Sequence, residues 1–208
     1  MWRQTAVTVP LIGTDPPRCV AALQRLTYGF HMSRKPRLSP DDWLNAGLQA
    51  LAVAGPEALK AEPLARELGT TKGSFYWHFA DVPAYRKALL DFWGRMASAD
   101  HEMPSDKRQS VARLHEIMRN GFTGDMAAET ALRAWARTDA NAAATLADID
   151  ARRLSYLQDI LRQIGVTNPD IARMLYGAQI GIVQIGEGGT PENETALDTL
   201  VDLVLALR

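Results

Sequence analysis

The chain has 208 residues, of which 47% are hydrophobic and 23% charged, the balance of an ordinary globular protein with room for one large domain or two small ones. No apolar run approaches the roughly 18 residues of a membrane span, and the single cysteine, Cys19, excludes a disulfide framework and a cysteine-built metal site. The net charge of −1 conceals an asymmetry: Met1 to His101 holds 12 Lys/Arg against 9 Asp/Glu, and the remainder 11 against 15, so a basic first half that permits a nucleic-acid partner precedes an acidic second half.

Residues 1–37 hold Pro10, Pro16, Pro17 and Pro36, one acidic residue and no sustained periodicity. They lack the basic start and continuous apolar block of a secretory signal, and an arginine-rich, acid-poor targeting segment stays open as a second reading; the single cysteine agrees with the reducing cytoplasm, the expected location. Met32-Ser-Arg-Lys-Pro-Arg-Leu-Ser-Pro reads as the natural opening of a protein. Residues 1–31 are then an upstream extension or mis-called start, poorly ordered. Arg34, Lys35 and Arg37 form a basic arm of the kind that tracks phosphates or enters a minor groove.

Helical signals begin at Ser39-Pro40-Asp41-Asp42, where a capping serine, a proline suited to the first turn and two acids favour a helix start. Leu44, Gly47, Leu48 and Leu51 then share a face, and Gly55-Pro56 ends the helix. A second helix is predicted from about 61 to 68, closed by Gly69 in a left-handed turn, and a third from about 71 to 78. The third is short and aromatic. Phe75 and Phe79, four apart, face inward and leave Lys72, Ser74, Trp77 and His78 outward or along the rim. Helix, glycine turn and short polar-aromatic helix is the arrangement a major-groove reader requires. Lys72 could donate to guanine O6 and N7; Gly73 suits a close approach of backbone to DNA; Lys60, at the start of the second helix, could reach phosphate.

Asp81 caps a fourth helix over about 82–99, and Met103-Pro104-Ser105 breaks the pattern. The expected division is therefore 1–37, 38–102 and 103–208. The last part is helical throughout, with segments near 105–120, 126–137, 140–164, 169–186 and 193–207. Leu175, Ala178, Ile182 and Ile185 make one seam. Leu197, Val201 and Val204, with Leu200 and Leu205, nearly encircle the final helix. A helix apolar all round must be buried, so these positions are assigned to an interface with a second subunit, where Gly177 and Gly181 would allow close helix approach. Gly186-Glu-Gly-Gly189 follows a helix rather than a strand and lacks the lysine of a phosphate loop; it reads as a link.

Enzyme signatures fail. His101-Glu102 and His115-Glu116 lack the second histidine of a zinc-protease helix, there is no Glu-x-x-His pair and no Gly-x-Ser-x-Gly elbow. No metal or cofactor is expected.

The segment from about Pro40 to Trp93 resembles the DNA-binding domain of the tetracycline-repressor (TetR) family. The residues that carry this are Gly55, Leu64-Ala65, Glu67-Leu68-Gly69, Lys72-Gly-Ser-Phe-Tyr-Trp-His-Phe79, Asp81 and Ala84. The resemblance implies an all-α protein: a three-helix helix-turn-helix domain joined by a fourth helix to a C-terminal helical domain for ligand binding and dimerisation. It implies a homodimeric repressor on a near-palindromic operator, released by a small-molecule effector. Carried over by position, Thr70, Thr71, Lys72, Gly73 and Ser74 open the recognition helix nearest the bases, Tyr76 and His78 grip phosphate, and Trp77 sits on the exposed side. The effector is not identifiable from the sequence; Trp93 and Met96 near the end of the fourth helix, with Met118, Met126, Trp135, Tyr156 and Tyr176, are the candidate pocket residues. Two other readings stay open: a DNA-binding regulator controlled by a protein partner without a small molecule, and a helical enzyme or carrier that keeps a vestigial reader.

Overall fold

The computed structural model describes residues 38–97, 102–123, 125–185 and 190–206. The basic arm Arg34, Lys35 and Arg37, the expected extension 1–31 and the link 186–189 lie outside them.

The described residues are helical. In chain order they form α1 (Pro40–Ala54), a 3-10 turn (Pro56–Ala58), α2 (Ala61–Glu67), α3 (Lys72–His78), α4 (Val82–Ala97), α5 (Lys107–Asn120), α6 (Met126–Ala136), α7 (Ala140–Ile164), α8 (Pro169–Ile182) and α9 (Pro191–Ala206). Local chemistry sets most boundaries. The Asp42 backbone N–H donates to Ser39 Oγ at 3.2 Å and the Ser39 N–H to Asp42 Oδ2 at 2.7 Å, a reciprocal cap that opens α1. Asp81 caps α4 by accepting the Ala84 N–H at 2.7 Å. After α2, Gly69 takes φ 61°; its N–H reaches Arg66 O and that of Thr70 reaches Ala65 O, which satisfies the last carbonyls and turns the chain sharply into α3. Helix α8 stops at Ile182, four residues before the expected end, because Gln184 and Ile185 donate three residues back, to Gly181 and Ile182, and so tighten the last turn.

Apolar residues form two cores, and the first crosses the expected division at 102/103. It joins Trp43, Leu51, Leu64, Phe75, Tyr85 and Trp93 of α1 to α4 with Ala128, Leu132 and Trp135 of α6 and Ala142 and Ile149 of α7. Helix α1 packs on α6, and α4 on the first half of α7. Trp43 is completely buried although it was not among the predicted core positions. It lies four residues before Gly47, on the same stripe. Gly47 is required by Tyr85: a Cβ there would stand 1.9 Å from the Tyr85 hydroxyl, which donates to Trp43 O at 2.8 Å.

The second core joins Leu114, Ile117 and Met118 of α5, Leu157, Ile160 and Ile164 of α7, Leu175 and Tyr176 of α8, and Leu197, Val201 and Val204 of α9. This corrects the subunit-interface assignment of Leu175, Leu197, Val201 and Val204. Helix α8 packs on α5, α7 and α9, and α9 on α5 and α8 of the same chain, leaving 0 to 5% of each of these residues exposed. Asp198 holds α9 to α5: it accepts from His115 at 3.0 Å and Arg119 at 2.9 Å, and these bonds keep its carboxyl below the usual range. Of the remaining interface candidates, Ala178 and Ile182 are half-buried and Ile185 is exposed.

Candidate nucleic-acid interface and a buried charged cluster

Helix α3 is anchored by one ring. Phe75 is fully buried, with the rings of Trp43, Phe79 and Tyr85 at 5.4, 5.3 and 5.1 Å between centroids. Phe79 is buried against Tyr85 in turn, at 4.9 Å. With that face fixed, the opposite one is presented to solvent: Thr71, Lys72, Gly73, Tyr76 and Trp77 are exposed, Trp77 to 78%. Thr70, Ser74 and His78 are half-buried along the rim. The Lys72 ammonium stands 6.0 Å from the Tyr76 ring centroid, a weak attraction that restrains a long side chain over the exposed surface. Lys60 occupies the N-cap of α2 and pairs with Glu57 at 3.1 Å. Such an exposed pair contributes little and is readily exchanged for another anion. The Arg86 guanidinium donates to Pro56 O at 3.0 Å and ties α4 to the turn before α2, a contact the sequence did not signal.

Gly73 has ordinary backbone geometry, and a Cβ built there would meet only Thr71 Oγ1, at 3.7 Å. The protein itself therefore has no need of glycine at this position. Gly73→Ala is expected to stabilise the free protein by up to about 1 kcal/mol through helix propensity, yet to weaken DNA binding by crowding the exposed face. Thermal melts and gel shifts on one preparation check both signs. Unchanged DNA affinity would remove the close approach at Gly73.

The candidate effector residues do not gather into one pocket. Trp93 and Trp135 lie in the first core, Met118 and Tyr176 in the second, Tyr156 flanks the second and donates to Glu102 O at 3.1 Å, and Met96 is 45% exposed. Their grouping is corrected by the helix faces, which send them to different cores. Tyr176 instead belongs to a charged cluster that the sequence reading missed. Glu129 and Arg133 come from α6, Asp150 and Arg153 from α7, and Tyr176 from α8. Arg133 Nη1 and Nη2 grip both Asp150 oxygens, at 3.0 and 2.8 Å, and Nη2 also reaches Glu129 Oε1 and the Tyr176 hydroxyl, each at 2.8 Å. Arg153 Nη1 donates to Glu129 Oε1 at 2.8 Å and to the Tyr176 hydroxyl at 3.1 Å, and that hydroxyl donates to Asp150 at 2.7 Å. Only 2% of the Arg153 side chain and 8% of that of Glu129 is exposed. Burial opposes the charge of Arg133, but the bonds from Asp150, Tyr176 and Glu129 outweigh it and raise its pKa. Burial also pushes the Tyr176 phenol up, against the pull of both guanidiniums. The sequence signal was the charge pairs Glu129/Arg133 and Asp150/Arg153, at i,i+4 and i,i+3 beside apolar stripes.

Helices α2 and α3 and the sharp turn at Gly69 form a helix-turn-helix arrangement, followed among the described residues by further helices. Residues 44–81 match the family described as bacterial regulatory proteins, tetR family. The fold is shared with a transcriptional regulator from Rhodococcus sp. Rha1 (TM-score 0.65, 20% identity, covering 81% of this chain and 97% of that one). It is shared also with a protein described as a TetR-family transcriptional regulator from Rhodococcus sp. (0.62, 22%, 80% and 98%). A third likeness is to a transcriptional regulator from Saccharomonospora viridis in complex with choline (0.62, 15%, 78% and 95%). No protein of curated function matches the sequence. The chain thus carries a segment that matches the tetR-family model within an all-helical fold that it shares with these solved structures.

Proposed function

We propose that the protein is a DNA-binding transcriptional regulator, a repressor that binds a near-palindromic operator as a homodimer and is released by a small-molecule effector. The observation that carries the first part is the division of α3 into a buried face held by Phe75 and Phe79 and an exposed face of Thr71, Lys72, Gly73, Tyr76 and Trp77. In this reading Lys72 and Ser74 meet base edges, Tyr76, His78 and Lys60 meet phosphate, and Trp77 lies along the backbone.

Dimerisation is assigned to the outer face of α8, where Met174, Gly177 and Gly181 are exposed at helical spacing, with Ile185 exposed just beyond the helix and Leu203 exposed on α9. A Cβ at Gly177 or Gly181 would meet nothing within 4 Å, so a partner helix has room to approach. Release by an effector draws support from the position of α6. One side of this helix packs on α1 beneath the reader through Leu132 and Trp135, and its other side carries Glu129 and Arg133 into the charged cluster. Half-sites lie about 34 Å apart per helical turn, so a small shift of α1 in each subunit misplaces both recognition helices. A coupling of about 1–3 kcal/mol weakens DNA binding roughly 5- to 150-fold, and operator DNA must weaken the effector by the same factor. The choline held by the Saccharomonospora viridis protein supports a small-molecule effector in this fold.

Gel shift on DNA upstream of the protein's own gene tests the reading. Lys72→Ala is expected to lose about 1–3 kcal/mol of discrimination between operator and random DNA, whereas His78→Ala weakens both alike and lowers the salt dependence. Equal losses on both DNAs for Lys72→Ala would reject its base-reading role. Absence of any shift would reject the regulator.

A further inference from the structure

The beginning of α2 is set by chemistry that lies outside it. Its N-cap residue, Lys60, brings no side-chain oxygen to the first backbone N–H groups, and the 3-10 turn before it likewise has no side-chain cap. That turn is entered through Gly55 at φ 72°, a conformation that glycine adopts freely, and two helical turns are too few to fix their own start. Leu59 and Ala61 are buried on either side of Lys60. Apolar burial is not directional, so it sets the depth of this segment and not the aim of Lys60. Direction comes from Arg86 of α4, whose Nη2 donates to Pro56 O at 3.0 Å. The same oxygen accepts the Leu59 N–H that closes the turn, at 3.2 Å. Arg86 Nε is buried and meets no acceptor among the described residues. A guanidinium left in water would keep that N–H hydrated, so holding its head on the turn has a cost. The Lys60 ammonium pairs with Glu57 of the turn at 3.1 Å. Lys60, and to a smaller extent Arg86, holds the Glu57 carboxyl below the usual carboxylate range. When Lys60 exchanges Glu57 for another anion, the charge of Arg86 still acts on that carboxylate.

We propose that Arg86 is a positioning residue for DNA binding: it fixes the Pro56–Ala58 turn and, through it, the direction in which Lys60 offers its ammonium to phosphate. The inference rests on the reading of the protein as a DNA-binding regulator and adds to it a residue that acts without touching the DNA. On an unanchored turn Lys60 would keep its charge but point in many directions. A phosphate contact that must first order both turn and side chain is weaker by the entropy of that ordering.

The test is the salt dependence of DNA binding by the full-length protein, measured between about 50 and 200 mM salt. Two duplexes are used, one with the DNA upstream of its own gene and one of random sequence. Each lost phosphate contact reduces the steepness of log affinity against log salt by about 0.9. Arg86→Met keeps an apolar stem and removes donor and charge. It is expected to reduce the steepness by about that amount for each bound subunit on both duplexes, as Lys60→Ala does. The double variant Arg86→Met/Lys60→Ala should show no further reduction, and Arg86→Lys, which keeps the charge and an N–H, should recover most of the wild-type steepness. A direct contact of Arg86 with phosphate, or a mere loss of positive charge, would make the two single losses add, and that result overturns the positioning role. An Arg86→Met protein that melts at lower temperature with unchanged salt dependence overturns it as well. If Arg86→Met fails to fold, Arg86→Gln, with a polar end but less reach, is read by the same comparison with Lys60→Ala. A wild type that binds neither duplex rejects the regulator and this inference together. Wild-type binding with additive or absent changes in steepness rejects this inference alone and leaves the regulator standing.

Discussion

Phe75→Ala is expected to cost about 3–5 kcal/mol of stability, the range for removing a fully buried aromatic ring, and to abolish operator binding. The ring is completely buried and is the one member of the aromatic group that touches Trp43 of α1, Phe79 beyond α3 and Tyr85 of α4 together. A seven-residue helix is too short to hold its shape alone. Its order is borrowed through Phe75, so truncation both opens a cavity and frees the exposed face. Against a typical total of about 5–15 kcal/mol, urea denaturation should show a clearly lower midpoint. Phe75→Leu, which keeps most of the volume, should cost much less. A loss under about 1 kcal/mol for Phe75→Ala would mean that the site collapses around the gap and that α3 is held by other contacts.

Glu129→Gln is the second large effect. One oxygen of Glu129 accepts from both Arg133 and Arg153, and neutralising it leaves two guanidiniums facing Asp150 and a neutral phenol. Breaking a buried ion pair by removing one partner typically costs about 3–5 kcal/mol. The double variant Glu129→Gln/Arg153→Gln removes the stranded charge together with its counter-ion, so its cost should fall below the sum of the two single changes. Additive losses in thermal or urea unfolding would show that the pair is not coupled. The cluster would then be a set of separate surface-like contacts, contrary to its burial.

What was legible in the chain follows from range. Caps and glycine turns act within four or five residues, and Ser39, Asp81 and Gly69 set helix ends from sequence alone. The two faces of α3 were legible because Phe75 and Phe79 repeat at one turn. Which helix covers which stripe is a long-range matter. The encircling apolar residues of α9 demand a cover, and nothing local says that α5 and α8 of the same chain supply it to Val201 and Val204 rather than a second copy. The charged cluster was hidden for the same reason. Glu129/Arg133 and Asp150/Arg153 look like solvated helix pairs until α6, α7 and α8 bring them together. The pocket candidates were chosen as large side chains at helical spacing, and helix spacing does not say which of two cores each will join: Trp93 and Trp135 enter the first, Met118 and Tyr176 the second.

The first core has a practical consequence for cutting and joining this protein. The reader's apolar underside is roofed by α6 and the opening turns of α7, so a fragment ending near the 102/103 break would expose Trp43, Leu51 and their neighbours to water. A portable C-terminal module must therefore be spliced further along, within α7 beyond Ile149. That seam falls on Asp150 and Arg153. Any chimera that exchanges C-terminal halves would have to match guanidinium to carboxylate across the junction, and modular exchange in this architecture is limited by electrostatic bookkeeping before it is limited by shape.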